Sequence, residues 1–222
     1  MDYAFKYKRK PTCMNDHPTT TGRPAPPNRG KTYPPEILSE DEVRQLVRAC
    51  SNRAPTGIRN RALITLLYRT GLRISEALSL YPKDLDSAEG RVLVRHGKGD
   101  KARVVGLDHE SFAVIERWMD RRAKLGLNGR QPVFCTLRGE PVKSPYVRSL
   151  LPRLAAKAGI EKRVHAHGLR HTHAAELARE GTPMNLIRAQ LGHENLSTTS
   201  RYLDHIAPQE LIDRMRSRTW KP

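Results

Sequence analysis

The sequence predicts a mainly α-helical domain with one small antiparallel β-sheet, an α+β fold. Three observations point there. Apolar residues recur three and four apart in successive segments, which are opened by capping residues or closed by glycines. A single pair of β-branched runs flanks a glycine-rich tip. At 222 residues, without internal repeats, the chain is long enough to bury a substantial core.

Residues 1 to about 35 stand apart. Lys6, Lys8, Arg9, Lys10 and further basic residues lie among closely spaced prolines with no apolar period, which reads as a flexible basic arm suited to a phosphate backbone. The ordered domain, 36–222, opens at SEDEVRQLVRAC. There Ser39 and Glu42 form a capping box, and Val43, Leu46, Val47 and Cys50 make one apolar helical face. Ile58 to Arg69 repeats the pattern through Ile58, Ala62, Leu63, Leu66 and Leu67; Thr70-Gly71 stops that helix, and a new one runs from Ile74 to Leu80. RVLVRHGKGDKARVVGL predicts a β-hairpin with Gly97-Lys98-Gly99-Asp100 at its tip. Asp108 to Leu125 reads as a long helix with Phe112, Ile115, Trp118 and Met119 inside. Ser144-Pro145 begins another, with a serine cap, a first-turn proline and a kink at Pro152, and Gly159 ends it. Short helices at about 168–179, 183–190 and 198–204 follow, and a last one at 208–217.

The charge narrows the function. Forty Lys and Arg against 23 Asp and Glu leave a formal +17, which calls for a polyanionic partner, most commonly nucleic acid; a merely solvated basic surface would give the same count. No run approaches the ~18 apolar residues of a membrane span, and the N-terminus lacks a secretory pattern, so no membrane partner is expected. Cys13, Cys50 and Cys135 are odd in number and scattered, which suits free thiols in a reducing cytosol.

HAHGLRHTHA, His165 to Ala174, concentrates four of the nine histidines. His167 and His171 have the i, i+4 spacing of helical zinc ligands, but no Glu lies between them, the nearest acid is Glu176 and the cysteines are remote. His167 and Arg170 lie three apart, on one helical face. A guanidinium there repels a metal ion but suits a phosphodiester, to which the arginine offers a bidentate fork and the imidazole a donor or acceptor near neutral pH. Covering the helix surface is the plainer reading of the pair. Elsewhere, TGLRISE puts Arg73 at a helix start after a glycine break, where side chain and backbone N–H groups converge on an anion. Lys98 occupies the hairpin tip, Leu191-Gly192-His193 ends a short helix, and STTSRY closes on Tyr202.

Taken in order, TGLRISEAL, GKGDKAR, HGLRHT, LGH and STTSRY resemble the tyrosine recombinase (phage integrase) family, over residues 36 to about 205. The resemblance implies that family's catalytic-domain fold, largely helical with a small sheet carrying the lysine. It also implies a mechanism. Tyr202 would attack the scissile phosphate to give a 3′-phosphotyrosyl enzyme and a free 5′-hydroxyl, so rejoining needs no ATP. Arg73 and Arg170 would hold the non-bridging oxygens, Lys98 would protonate the leaving 5′-oxygen, His167 would assist proton transfer and His193 would donate to a phosphate oxygen. A phenol of pKa ~10 needs such help near neutral pH. Five cationic or imidazole groups around one phosphate imply neither metal nor other cofactor. Glu76 would position Arg73, His171 would support the site, and His165 and His173 fall to surface or packing. Lys6, Lys8, Arg9, Lys10, Lys101, Arg103 and Arg201 are the further expected DNA contacts.

The implied partners are double-stranded DNA carrying a recombination site, other copies forming a tetramer on DNA through the C-terminal helix with its Leu211, Ile212 and Met215 stripe, and accessory DNA-bending proteins. The implied setting is the prokaryotic cytoplasm, on nucleoid DNA. Most of the family carries an all-helical DNA-clamping domain before the catalytic one. Here a basic arm stands in that place, as expected of a small natural invertase or of a catalytic domain cut from a longer protein. Two rival functions stay open: a non-enzymatic helix–turn–helix binder built from Thr182 to Thr199, and a type IB topoisomerase with similar chemistry.

Overall fold

The computed structural model describes residues 36–95, 102–192 and 215–218. The basic arm, the hairpin tip with Lys98 and Lys101, and the stretch with His193, Arg201, Tyr202 and the helices expected at 198–204 and 208–217 lie outside the described residues, Met215 to Ser217 of the last apart.

Among the described residues the order is α1 (Glu40–Arg48), α2 (Pro55–Thr70), α3 (Ile74–Leu78), a 3-10 turn (Pro82–Asp84), strands β1 (Leu85–Asp86), β2 (Arg91–Val94) and β3 (Arg103–Gly106), then α4 (His109–Lys124), α5 (Ser144–Lys157), α6 (Ala166–Arg179) and α7 (Met184–Leu191). The Ser39–Glu42 capping box forms as expected: the serine hydroxyl accepts from the Glu42 N–H at 3.2 Å, and Glu42 accepts from the Ser39 N–H at 2.6 Å. Asp108 caps α4 the same way, accepting from the Ser111 N–H at 2.8 Å. On α5 the cap differs from expectation. Lys143 holds the N-cap position without a side-chain bond, Ser144 and Pro145 already lie in the first turn, and the helix runs on through an exposed Pro152.

The core is built around α2, which packs against α1, α3, α4 and α6. Helix α2 is buried on nearly every side rather than along one stripe, from Ile58 through Tyr68. Trp118 is fully buried and donates its indole N–H to the Val133 carbonyl at 2.8 Å, tying α4 to the loop before α5. Arg59 is buried as well and donates to the Cys135 carbonyl at 3.1 Å and the Tyr146 hydroxyl at 2.9 Å, fastening α5 to α2. A second, smaller cluster of Ala174, Ile187 and Leu191 joins α6 to α7.

The sheet is antiparallel in the order β1-β2-β3, with Val92 opposite Val105 and Val94 opposite Arg103. Strand β1 was not expected; two residues are too few to show alternation. Gln190 of α7 completes the edge of β3. Its carboxamide accepts from the Gly106 N–H and donates to the Gly106 carbonyl, both at 2.9 Å, as a neighbouring strand would. No described helix is long and apolar enough to cross a membrane.

Candidate active site

Two helix ends and one helix start meet beside the sheet. Helix α2 ends on Gly71, whose φ of 63° is left-handed. A Cβ at that position would come within 2.5 Å of Leu191 and 2.8 Å of His173. The chain then turns at once into α3, with Arg73 at its N-cap. Helix α7 also ends on a left-handed glycine, Gly192, at φ 67°.

The two expected arginines hang from these ends. Arg170 is 2% exposed; its Nη1 donates to the Gly71 carbonyl at 2.6 Å and its Nη2 to the Leu191 carbonyl at 2.7 Å. Arg73 donates from Nη2 to the Gly192 carbonyl at 3.4 Å and from Nη1 to Glu76 Oε1 at 2.8 Å. Helix C-termini carry partial negative charge, so these carbonyls hold cations without supplying a formal counter-charge.

Glu76 is buried and accepts the Arg73 backbone N–H at 2.8 Å, which fixes the start of α3. Burial by itself would push its carboxyl up, but the hydrogen bonds and charges of Arg103 and Arg73 bring it down to about 2. Arg103, expected as a DNA contact, is turned inward: its two terminal nitrogens bond the two Glu76 oxygens at 2.9 and 2.8 Å. Strand parity is the signal that places it there, since Arg103 shares a face with Val105 and Leu107, both buried.

His167 is exposed one turn before Arg170, and its ring meets His171 edge-on with centroids 4.2 Å apart. Desolvation, then the charges of Arg170, His165 and Arg73, hold the His167 imidazole below its ordinary value, so it is neutral at pH 7 and open to a proton. Among the described residues no three His, Cys, Asp or Glu side chains gather to hold a metal ion.

The other histidines have defined places. His165 is the N-cap of α6; its Nδ1 accepts from the Gly168 N–H at 3.0 Å. His165→Ala is expected to lower stability by about 1 kcal/mol in urea denaturation while His165→Asp keeps it, as for other N-cap acceptors. Equal midpoints for the alanine variant and wild type would show that the cap is idle. Of the surface or packing role expected for it, His173 takes the packing one, buried against Gly71. Beside it, Tyr68 donates to Glu176, and Arg69 bridges Asp108 at 3.0 Å. A cavity of about 570 Å³ opens next to His167, lined among others by Ile74, Pro152, Ile160, Val164, Arg148 and Arg163.

Arg73, Glu76, His167, Arg170 and His171 are therefore drawn into one neighbourhood, joined by Arg103, which was expected as a DNA contact, and by Gln190, which no motif announced. Lys98, His193 and Tyr202 lie outside the described residues.

The comparisons agree in one direction. The model of the phage integrase family matches residues 36–208. The chain is 37% identical over 187 residues to a tyrosine recombinase XerC of Lactobacillus delbrueckii subsp. bulgaricus, covering 82% of this chain and 62% of that protein. It is 40% identical over 182 residues to XerC of Bacillus pumilus, covering 80% and 59%. Among solved structures, the XerA recombinase is similar with a TM-score of 0.72 at 32% identity, covering 85% of this chain and 68% of that one. XerH, captured on its palindromic difH substrate after cleavage, is similar with a TM-score of 0.70 at 28% identity, covering 83% and 54%. The chain thus spans about 60% of the length of the two XerC proteins it matches. Fold, motif order and matched length together establish that the chain belongs to the phage integrase family.

Proposed function

We propose that the chain is the catalytic part of a site-specific DNA recombinase that cuts and rejoins DNA through a covalent 3′-phosphotyrosyl intermediate. The observation that carries this reading is the convergence of Arg73 and Arg170 on the carbonyl ends of α2 and α7, with His167 one helical turn before Arg170. Arg170, anchored on main-chain dipoles, and Arg73, which shares the single Glu76 carboxylate with Arg103, keep a surplus of positive charge where a pentacoordinate phosphorane would gather negative charge. Tyr202 is the nucleophile: its oxygen bonds to phosphorus, the 5′-oxygen leaves with a proton from Lys98, and the reverse attack by a 5′-hydroxyl restores the diester. His167 takes or returns the tyrosine proton, and His193 donates to a phosphate oxygen. His171 supports the site.

The partner is duplex DNA bearing a recombination site, met by the formal +17 and by the basic residues of the N-terminal arm. Exchange joins four DNA ends, so the working assembly is a tetramer on two duplexes, linked through the C-terminal helix. DNA-bending proteins assist it, and the setting is the bacterial nucleoid. The domain proper is 36–222, with 1–35 as the arm.

The test uses a nicked suicide duplex carrying the chain's own site, from which the cleaved flank diffuses away. Wild type should accumulate an SDS-resistant protein–DNA adduct, and Tyr202→Phe should form none while binding the duplex equally. An adduct in the Phe variant would displace Tyr202 as nucleophile. Binding without any adduct in wild type would favour the non-enzymatic helix–turn–helix reading, and plasmid relaxation without strand exchange the topoisomerase.

A further inference from the structure

Glu76 holds two arginines on unequal terms. Arg103 grips both carboxylate oxygens with its two terminal nitrogens, at 2.9 and 2.8 Å, whereas the Arg73 side chain reaches only Oε1, at 2.8 Å. The Arg103 side chain is 15% exposed and that of Arg73 is 30% exposed. Arg103 also lies against Gly192, where a Cβ would come within 2.7 Å of its Cζ and Nε. The carbonyl of that same glycine receives Arg73 Nη2. One buried carboxylate with one arginine forms a neutral pair; with two, the trio keeps a net positive charge, and the more exposed member presents it.

We propose that Arg103 is a positioning residue that serves as the counter-ion of Glu76, so that the charge of Arg73 stays available to an anionic substrate instead of being cancelled. Without Arg103, the Arg73 guanidinium and backbone N–H remain to hold Glu76 ionised against the cost of burial, and Arg73 closes onto it in a two-pronged bridge. The role concerns the proposed phosphodiester site and rests on that reading. It differs from a DNA contact, because the Arg103 guanidinium is spent on Glu76.

Charge logic makes the assignment testable. Arg103→Met keeps the packing on Gly192 without the charge, Arg103→Lys keeps the charge without the fork, and Glu76→Gln removes the charge being balanced. In single-turnover adduct formation on the suicide duplex, Arg103→Met should slow cleavage on the order of 100-fold, the scale of losing one transition-state donor. Duplex affinity and its salt dependence should stay near wild type. Arg103→Lys should recover part of the rate, and adding Glu76→Gln to Arg103→Met should restore at least about tenfold, since the carboxylate no longer competes for Arg73. A double variant slower than Arg103→Met would reduce Arg103 to packing. A loss confined to binding, with the salt slope reduced by about one, would make it a phosphate contact. Inorganic phosphate binding, titrated calorimetrically in the same proteins, must rank them in the same order whether or not any adduct forms. A wild type that makes no adduct therefore overturns the recombinase reading, while the phosphate ranking still decides the role of Arg103.

Discussion

Arg170→Ala is expected to slow adduct formation by at least a thousandfold and to cost about 3 kcal/mol of stability, the two losses having one cause. The guanidinium is 2% exposed and spans the Gly71 and Leu191 carbonyls. Removing it deprives the phosphate of a cationic donor, which alone is worth on the order of 10²–10³ in rate. It also leaves two buried carbonyls without their donor and lets the ends of α2 and α7 drift apart, which accounts for the rest. Arg170→Lys separates the effects. A lysine brings the charge but only a single point of attachment, so it can satisfy one carbonyl and leaves the other. Its rate should stay within about tenfold of the alanine variant, and urea midpoints should fall for both. A lysine variant as fast as wild type would mean that charge alone matters there and that the two-carbonyl anchor is dispensable.

The second large effect is on stability in acid, through His173. It is buried, and desolvation first, then the charges of Arg69 and Arg170 against a weaker pull from Asp108, lowers its imidazole to about 4 from an ordinary 6.5. A histidine whose folded pKa is depressed stays neutral in the native state while the unfolded chain takes up a proton. Its contribution is therefore complete above pH 6.5 and drains away as pH falls toward 4, by up to about 3 kcal/mol across that window at 1.36 kcal/mol per unit. Glu76, at about 2, acts later: its contribution is present above 4.5 and is lost only below that. Denaturant midpoints at pH 7 and pH 4.5 should thus differ strongly in wild type and far less in His173→Phe. If both proteins show the same pH slope, the acid sensitivity lies elsewhere.

Much of this was legible in the chain, and the exceptions share a physical reason. The capping box, the long helix after Asp108 and the Gly71 break are set by residues within a turn of one another, the two hairpin strands by runs close along the chain, and each stands where expected. The cap of α5 misled because Ser144-Pro145 satisfies two rules at once, and the chain placed the pair inside the first turn rather than across its boundary. Helix α2 showed one apolar face but is buried all round, since wrapping by four other helices is a property of the assembly and not of its own period. The site divides likewise. Arg73, His167 and Arg170 were visible as residue types in short motifs. The Gly71 and Leu191 carbonyls that anchor Arg170 have no sequence signature, because every residue has a carbonyl. Arg103 was assigned to DNA on its charge, yet its parity with Val105 already turned it toward the interior, where a buried cation needs an acid and Glu76 supplies it.

Anchoring arginines on main-chain oxygens also bears on how the molecule tolerates sequence change. No substitution can delete a carbonyl. Gly71, Leu191 and Gly192 could exchange side chains freely as far as their acceptor atoms are concerned, and the exposed positions of α7, away from Ile187, Gln190 and Leu191, could drift without unseating either arginine. What cannot vary is the path of the backbone, and that path is pinned at two left-handed glycines, where an added methyl would meet Leu191, His173 or Arg103 at under 3 Å. The clamp is therefore forgiving around most of its circumference and brittle at two points, neither of which carries a functional group.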